Sequence, residues 1–138
     1  MGYSGDLKLV EGIQRRWTRA ISSLEQVGYE QRLRELNLYS MYGRLVRADL
    51  ILVWRIFNGL CAIKPKDLFQ VSSVQGTRGH SRKLQFRQCR LDTRKRFFSF
   101  RVVPLWNSLS AEAVEASSLA TFKAFLHRDL GGELFRVI

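Results

Sequence analysis

Apolar residues recur at steps of three and four in the first part of the chain, which is the spacing of one face of a helix. Over residues 6–21 this spacing predicts an amphipathic helix, and we expect the helix to bury its apolar face. The residues of that face are Leu7, Val10, Ile13, Trp17, Ala20, Ile21 and Leu24.

Two further helices are predicted before residue 60. Residues 29–36 suit a short helix of about two turns, with polar side chains facing water. Residues 41–58 hold a helical period throughout, so we expect a long helix there. Ser40 is a suitable N-cap for it, and Asn58-Gly59 a suitable stop, because glycine accepts a left-handed backbone without penalty. Residues 1–60 are therefore expected to form a helical part.

The middle of the chain predicts a connector and then a β-hairpin. Residues 61–76 contain Pro65 and lack a helical period, which is typical of a connector. Two glycines near residues 76–81 indicate a turn. Residues 82–91 roughly alternate between apolar and basic side chains, as a strand does. We therefore predict one short β-hairpin near residues 77–91.

Residues 77–138 are expected to combine this basic hairpin with C-terminal helices. Asp92 is a suitable N-cap for a helix that Pro104 should kink or restart. Ser117 or Ser118 should begin a last helix, which Gly131-Gly132 should end. The fold class predicted for residues 1–138 is mainly α, a single small helical domain or a fragment of one. We expect its core to contain Trp54, Phe57, Phe98 and Trp106.

The net charge of +11 is concentrated in residues 78–101. That window holds nine lysines or arginines and one acid, Asp92, for a net charge of +8. Such crowding of like charges is typical of a surface that binds a polyanion, and nucleic acid is the commonest one. The predicted nucleic-acid-binding residues are Arg78, His80, Arg82, Lys83, Arg87, Arg90, Arg94, Lys95, Arg96 and Arg101. A solvated basic patch without a ligand is the alternative.

Catalytic and metal-binding patterns are not found in the sequence. The five aspartates are scattered and never paired, whereas polymerases and nucleases gather carboxylates around metal ions. The candidate zinc ligands Cys61, His80, Cys89 and His127 lack the closely spaced pairs of structural zinc sites. We therefore expect a protein that is not an enzyme and has no cofactor.

The first residues and the length of the apolar runs indicate which cellular compartment to expect. The first residues carry acids and no apolar signal-peptide core. The longest apolar run, Leu50–Phe57, is far shorter than the roughly 20 residues of a membrane-spanning helix. We expect an intracellular protein, nuclear, cytoplasmic or both, without a membrane partner.

Several segments, in order, resemble one known family. They are LVEGIQRRWTRAI (9–21), YEQRLRELNL (29–38), FNGL (57–60), TRGHSRKL (77–84), FFSFRVVPLWNSLS (97–110) and ASSLATFKAFL (116–126). Together they resemble the C-terminal, post-thumb region of the reverse transcriptase polyprotein of non-LTR (LINE-type, jockey-like) retrotransposons. The polymerase carboxylate motif of that family lies upstream of the region and does not occur here.

The resemblance implies a non-catalytic accessory region that holds template RNA or target DNA during target-primed reverse transcription. RNA, DNA and the upstream reverse transcriptase domain are then the expected partners. Two alternatives stay open: a protein-docking module that packs on the upstream polymerase, for which Leu50–Phe57 could supply an apolar surface, and a non-functional genomic remnant of a retroelement. A weaker alternative is an anionic membrane surface met by the basic helix after Asp92.

Overall fold

The computed structural model of the chain describes residues 2–64, 70–71, 80–85 and 102–137. Within them the structure is mainly helical, as predicted. The helices are α1 (Gly2–Arg19), α2 (Tyr29–Leu36), α3 (Met41–Phe57), α4 (residues 102–108), α5 (Ala111–Val114) and α6 (Leu119–Leu134), with a 3-10 turn at Ser22–Leu24. Two short strands are β1 (Gln70–Val71) and β2 (Leu84–Gln85). Of the helices in these residues, none has the length and apolarity that crossing a bilayer requires.

The β-hairpin predicted near residues 77–91 is not seen. Strand β2 lies in that range, but its antiparallel partner is β1, with Val71 opposite Leu84. Strand β1 lies in residues 61–76, which were predicted to be a connector. An alternating pattern predicts an extended segment, but it does not identify the segment that pairs with it. Residues 77–79 and 86–91 lie outside the described residues.

The predicted signals at both ends of α3 are confirmed. The Ser40 hydroxyl accepts a hydrogen bond from the Gly43 backbone N–H at 2.9 Å, as an N-cap does. Helix α3 ends at Phe57, and Gly59 has a left-handed φ of 69°. The Leu60 N–H then donates to the Arg55 carbonyl at 2.9 Å, which closes the helix end in a Schellman motif.

Helix α6 is interrupted at its predicted end. Ser118 caps its start, since the Ser118 hydroxyl accepts from the Thr121 N–H at 3.2 Å. Leu130 leaves the helical region, with φ −124° and ψ 23°, and a second short helical stretch follows it as far as Leu134. The predicted break at the end of this helix is therefore confirmed, and the helical stretch beyond the break was not predicted. The helix predicted after Asp92 lies, up to residue 101, outside the described residues, and Pro104 lies within the helical residues 102–108.

The chain divides into two compact units. Unit 1 comprises Met1–Leu45 and Gly131–Ile138, and unit 2 comprises Val46–Leu130. Within unit 1 the C-terminal residues pack with the N-terminal part, since the Leu134 carbonyl accepts a hydrogen bond from the Ser40 N–H at 3.0 Å.

Unit 2 has an aromatic core, as predicted. Trp54 stacks on Phe122 with ring centroids 5.6 Å apart, and Trp106 stacks on Phe57 at 5.4 Å. Trp54, Trp106 and Phe122 are buried, and Phe57 is half-buried. The fourth predicted core residue, Phe98, lies outside the described residues. Helix α3 contributes much of this core, because Leu50, Val53 and Ile56 are buried as well.

Unit 1 has a polar interior, which corrects the predicted orientation of α1. Glu11 and Thr18 are buried, whereas Trp17 is 75% exposed and Leu9 is 68% exposed. The Glu11 carboxylate accepts hydrogen bonds from the Tyr29 hydroxyl and, at 3.0 Å, from the Met41 backbone N–H. Of the apolar face expected to be buried, only Leu24 is buried and Leu7 is half-buried, while Val10, Ile13, Trp17, Ala20 and Ile21 are exposed. The face that carries Glu11 and Thr18 points inward instead.

Buried Arg32 completes this interior. Its Nε donates to the Thr18 hydroxyl at 3.1 Å, and its Nη1 and Nη2 donate to the carbonyls of Val27 (2.7 Å) and Arg15 (3.2 Å). These carbonyls belong to α1 and to the loop that follows it, so the Arg32 guanidinium ties α2 to both segments. The polar face of α1 turns inward because neighbouring segments supply matched donors and acceptors for it.

Candidate nucleic-acid interface

Three of the ten predicted nucleic-acid-binding residues lie in the described part of the chain. They are His80, Arg82 and Lys83, at the start of the basic window. The other seven, Arg78, Arg87, Arg90, Arg94, Lys95, Arg96 and Arg101, lie outside the described residues.

His80 is part of the interior of unit 2. The residue is 3% exposed, and its ring meets Trp106 edge to face at 5.7 Å. Its Nε2 lies 2.8 Å from the Trp106 carbonyl oxygen, and its Nδ1 lies 3.0 Å from the Arg82 backbone N. Both ring nitrogens therefore have hydrogen-bond partners within the fold.

These two partners define the tautomer of His80. A carbonyl oxygen only accepts, so Nε2 must carry the proton and donate it. The Arg82 N–H only donates, so Nδ1 must be unprotonated and accept. The ring is thus neutral, and burial lowers the pKa of His80, because the charged form loses its hydration. Lys83 and Arg82 act in the same direction through charge repulsion, against the hydrogen bond to Trp106.

Asn107 of α4 holds the strand residue Leu84. Its side-chain Nδ2 donates to the Leu84 carbonyl at 2.9 Å, and its Oδ1 accepts from the Leu84 N–H at 2.8 Å. The amide thereby occupies both backbone groups of Leu84, as a neighbouring strand does. This pair of bonds fixes the register of the extended segment relative to α4.

Two more contacts join the same segments. The indole Nε1 of Trp106 donates to the Arg82 carbonyl at 2.9 Å, and the Lys83 ammonium donates to the Asn107 carbonyl at 2.7 Å. With the His80 and Asn107 bonds, five hydrogen bonds connect residues 80–84 to α4. We name this set of contacts the anchor. Lys83, predicted as a phosphate contact, uses one of its three donor positions within it.

The Arg82 side chain contacts an aromatic ring and also has one nitrogen without a hydrogen bond to a described residue. Its guanidinium lies over the Phe57 ring, 5.6 Å from the ring centroid, in a cation–π contact. Its Nη1 is buried and has no hydrogen-bond partner among the described residues. A buried donor without an acceptor costs free energy, about 1–3 kcal/mol and more for a charged group.

Sequence reasoning missed Asn107 as an anchoring residue. A signal was available, because asparagine is a poor helix former and here stands between Trp106 and Leu109 in an apolar helical stretch. An asparagine at such a position is favourable when its side-chain amide has hydrogen-bond partners. What the sequence could not supply was the partner itself, because Leu84 lies 23 residues away.

The described residues contain no group of three or more side chains that could hold a metal ion. Cys61 is a free, half-buried thiol, and Cys89 lies outside the described part. What the site offers is a fixed backbone segment beside cationic side chains.

No protein-family model, curated protein or solved structure matches the chain. The resemblance to the non-LTR reverse transcriptase region therefore remains a prediction that rests on the sequence segments themselves.

Proposed function

We propose that this chain is a non-catalytic nucleic-acid-binding accessory region of a LINE-type retrotransposon reverse transcriptase. In this proposal the basic window contacts the phosphates of RNA or DNA during target-primed reverse transcription. The net charge of +8 over residues 78–101 is the observation that carries it. Each phosphate neutralised by a lysine or arginine releases condensed counterions, which drives binding.

The anchor supports a specific arrangement of that window. Residues 80–84 and α4 are hydrogen-bonded to each other, and the chain between them, residues 86–101, carries six cations and one acid. Both flanks of the cationic segment are thus held together in the fold. Holding the flanks reduces the conformational entropy that binding must remove from the segment. The two segments that meet here are residues 80–84, from TRGHSRKL, and WNSL (106–109), and both belong to the family resemblance.

The three described window residues then take different roles. His80 is a positioning residue, because its buried ring has no free nitrogen for a ligand. Lys83 holds the anchor and keeps further N–H donors. Arg82 is a candidate for a phosphate contact, because its guanidinium is permanently charged and carries several N–H donors.

A salt titration tests the proposal. The folded chain is titrated with single- and double-stranded RNA and DNA at several salt concentrations. If about five or six cations contact phosphates, log K against log salt should slope by about −4 to −5 on duplex DNA. Affinities should differ little between sequences, because phosphate contacts carry little sequence information.

Substituting Arg94, Lys95 and Arg96 with glutamine should make that slope shallower by up to about 2–3 units. The matched control is glutamine at Lys8, Arg16 and Arg19, three exposed cations of α1 that lower the net charge equally. The control should retain nearly the whole slope. Equal effects of the two triple variants would mean that binding follows net charge and that the window has no special role.

The docking alternative loses one of its supports. Leu50, Val53, Trp54 and Ile56 are buried within unit 2, so Leu52 is the one apolar residue of Leu50–Phe57 that is exposed. A folded sample that binds no nucleic acid at low salt would nevertheless place a docking role, or a remnant without function, ahead of the proposal.

A further inference from the structure

Helix α1 exposes a continuous apolar stripe. Its members are Leu9, Val10, Ile13 and Trp17, all of them exposed, and Ile21 follows beyond the helix end. In the part of the chain that the structure describes, only three other large apolar residues are exposed: Leu52, Leu60 and Ile63. A concentration of exposed apolar side chains on one helix face marks an interaction site more often than scattered ones do.

The geometry of the stripe suits a second helix. At about 100° per residue, Leu9 to Val10 spans roughly 100° of the helix surface, the width of an apolar helix face. Val10, Ile13 and Trp17 follow steps of three and four, which is the spacing of a helix–helix seam. At about 1.5 Å per residue the stripe extends roughly 12 Å from Leu9 to Trp17. A seam of this length occupies about two turns of a partner helix.

A row of cations borders the stripe on one flank. Lys8, Arg16 and Arg19 are exposed, and none of them forms an ion pair or a side-chain hydrogen bond with another described residue. Arg15 belongs to the same flank, but its guanidinium lies 4.9 Å from the centroid of the Tyr29 ring. A partner that fits both features must therefore present apolar residues at helical spacing and carboxylates along one edge.

We propose that α1 is a docking surface for an acidic amphipathic helix of a partner. The partner's apolar residues cover Leu9, Val10, Ile13 and Trp17, and its glutamates or aspartates face Lys8, Arg16 and Arg19. This surface is separate from the basic window, so the inference does not depend on the proposed function.

Two other occupants fit less well. A second copy of this chain would bring the same cations and only Asp6 as an acid near the stripe, so the charge row would stay unmatched. An anionic membrane would be repelled by Asp6, which lies at the N-terminal end of the stripe on the same face. It would also contact cations on only one flank of the stripe. A partner helix can place carboxylates opposite the cations on that one flank, and it can end before it reaches Asp6.

The test uses a synthetic helical peptide with leucines at steps of three and four and glutamates along its flanks. Two control peptides carry lysine for glutamate or glutamine for leucine. We expect the first peptide to bind the full chain and both controls to bind at least about tenfold more weakly at physiological salt. Tryptophan emission should shift to the blue, because Trp17 is 75% exposed while Trp54 and Trp106 are already buried.

Variants of the chain locate the binding. Trp17→Ala should weaken peptide binding about tenfold or more, since large aromatic residues dominate such interfaces, whereas Leu60→Ala, at an exposed residue outside the stripe, should not. Glutamate at Arg16 and Arg19 should reverse the preference toward the lysine peptide. Glutamine at Arg94, Lys95 and Arg96 should leave peptide binding unchanged, which excludes general attraction to the basic chain.

Four outcomes would overturn the proposal. They are equal binding of the glutamate and lysine peptides, no binding of any peptide, a dimer of the chain that Trp17→Ala dissolves, and binding to phosphatidylserine vesicles that Trp17→Ala abolishes. The last two would assign the stripe to a second copy or to a lipid surface.

Discussion

The two units of this chain bury different kinds of side chain. Among the described residues, unit 1 contains four buried polar residues, Glu11, Thr18, Arg32 and Ser40, and unit 2 contains one, His80. Sixteen of the twenty buried hydrophobic residues belong to unit 2. Unit 1 also exposes Leu9, Val10, Ile13, Trp17 and Ile21. Unit 2 is therefore held mainly by apolar packing, and unit 1 depends much more on directed hydrogen bonds.

This difference has consequences for stability and for binding. Apolar packing is non-directional, so its loss scales with the volume removed. A buried polar network depends on each partner, because one missing group leaves others unsatisfied. In unit 1 the apolar residues Leu9, Val10, Ile13 and Trp17 of α1 are exposed. We propose that this face binds a partner helix.

The largest effect should come from removing the central indole of unit 2. Trp106→Ala should cost about 3–5 kcal/mol of unfolding free energy, as large aromatic truncations in cores do. Trp106 is 0% exposed and also donates to the Arg82 carbonyl, so the anchor weakens with it. Denaturant unfolding measures the change, with Leu60→Ala as an exposed control. Unchanged stability together with lost nucleic acid binding would instead make Trp106 a base-stacking residue.

A smaller effect is expected in unit 1 at Gly43. A Cβ at this position would overlap the backbone carbonyl of Leu134, so Gly43→Ala should destabilise the chain by about 1–3 kcal/mol despite the better helix propensity of alanine. Gly12 of α1 has open space around it, and Gly12→Ala should stabilise the chain by about 0.5–1 kcal/mol. Opposite signs in denaturant unfolding would confirm the close approach. If both substitutions stabilised the chain, the backbones at Gly43 and Leu134 would be further apart than described.

Alkaline pH should weaken unit 1 through Tyr29. Burial, followed by the hydrogen bond to Glu11, raises the pKa of Tyr29 to about 12 from 10.0. The unfolded chain loses this proton first, so the contribution is fully present below pH 10 and is lost as pH rises toward 12. Ultraviolet titration of the tyrosines, compared with Tyr29→Phe, measures the shift. A late-titrating tyrosine that persists in Tyr29→Phe would assign the shift to another residue.

Acidic pH should weaken unit 2 through His80, with the smallest effect of the four. Burial lowers its pKa, so the unfolded chain binds a proton before the folded chain does. Stability should fall as pH drops below 6.5 toward the lowered folded-state pKa. Unfolding midpoints across this range should decline for the parent chain and flatten for His80→Gln. A decline of the same size in His80→Gln would assign the acid sensitivity to other groups.

Much of the candidate site could be predicted only as a charge pattern. The basic window is visible in the sequence because charge is a property of composition. The burial of His80 and the pairing of Asn107 with Leu84 were not visible, since they join residues 23–26 positions apart. The glycines near residues 76–81 indicate a turn, and only the tertiary contact with Trp106 shows that the His80 ring is buried.

The orientation of α1 was missed for a related reason. Helical spacing identifies an apolar face, and burial of that face is the usual outcome for a helix packed on a core. Here the opposite face carries Glu11 and Thr18, whose partners Tyr29, Met41 and Arg32 lie 14–30 residues away. No local pattern shows that these polar groups will be matched.

The sequence by itself determined the features that depend on neighbours within about one helical turn. The Ser40 cap, the left-handed Gly59 and the period of α3 are of this kind, because their hydrogen bonds close within five residues. Only the tertiary structure decided which face of α1 is buried, that β2 pairs with β1, and that a second helical stretch follows Leu130 as far as Leu134. Each of these depends on groups brought together from distant positions, where the free energy of a complete set of buried hydrogen bonds outweighs the local preference.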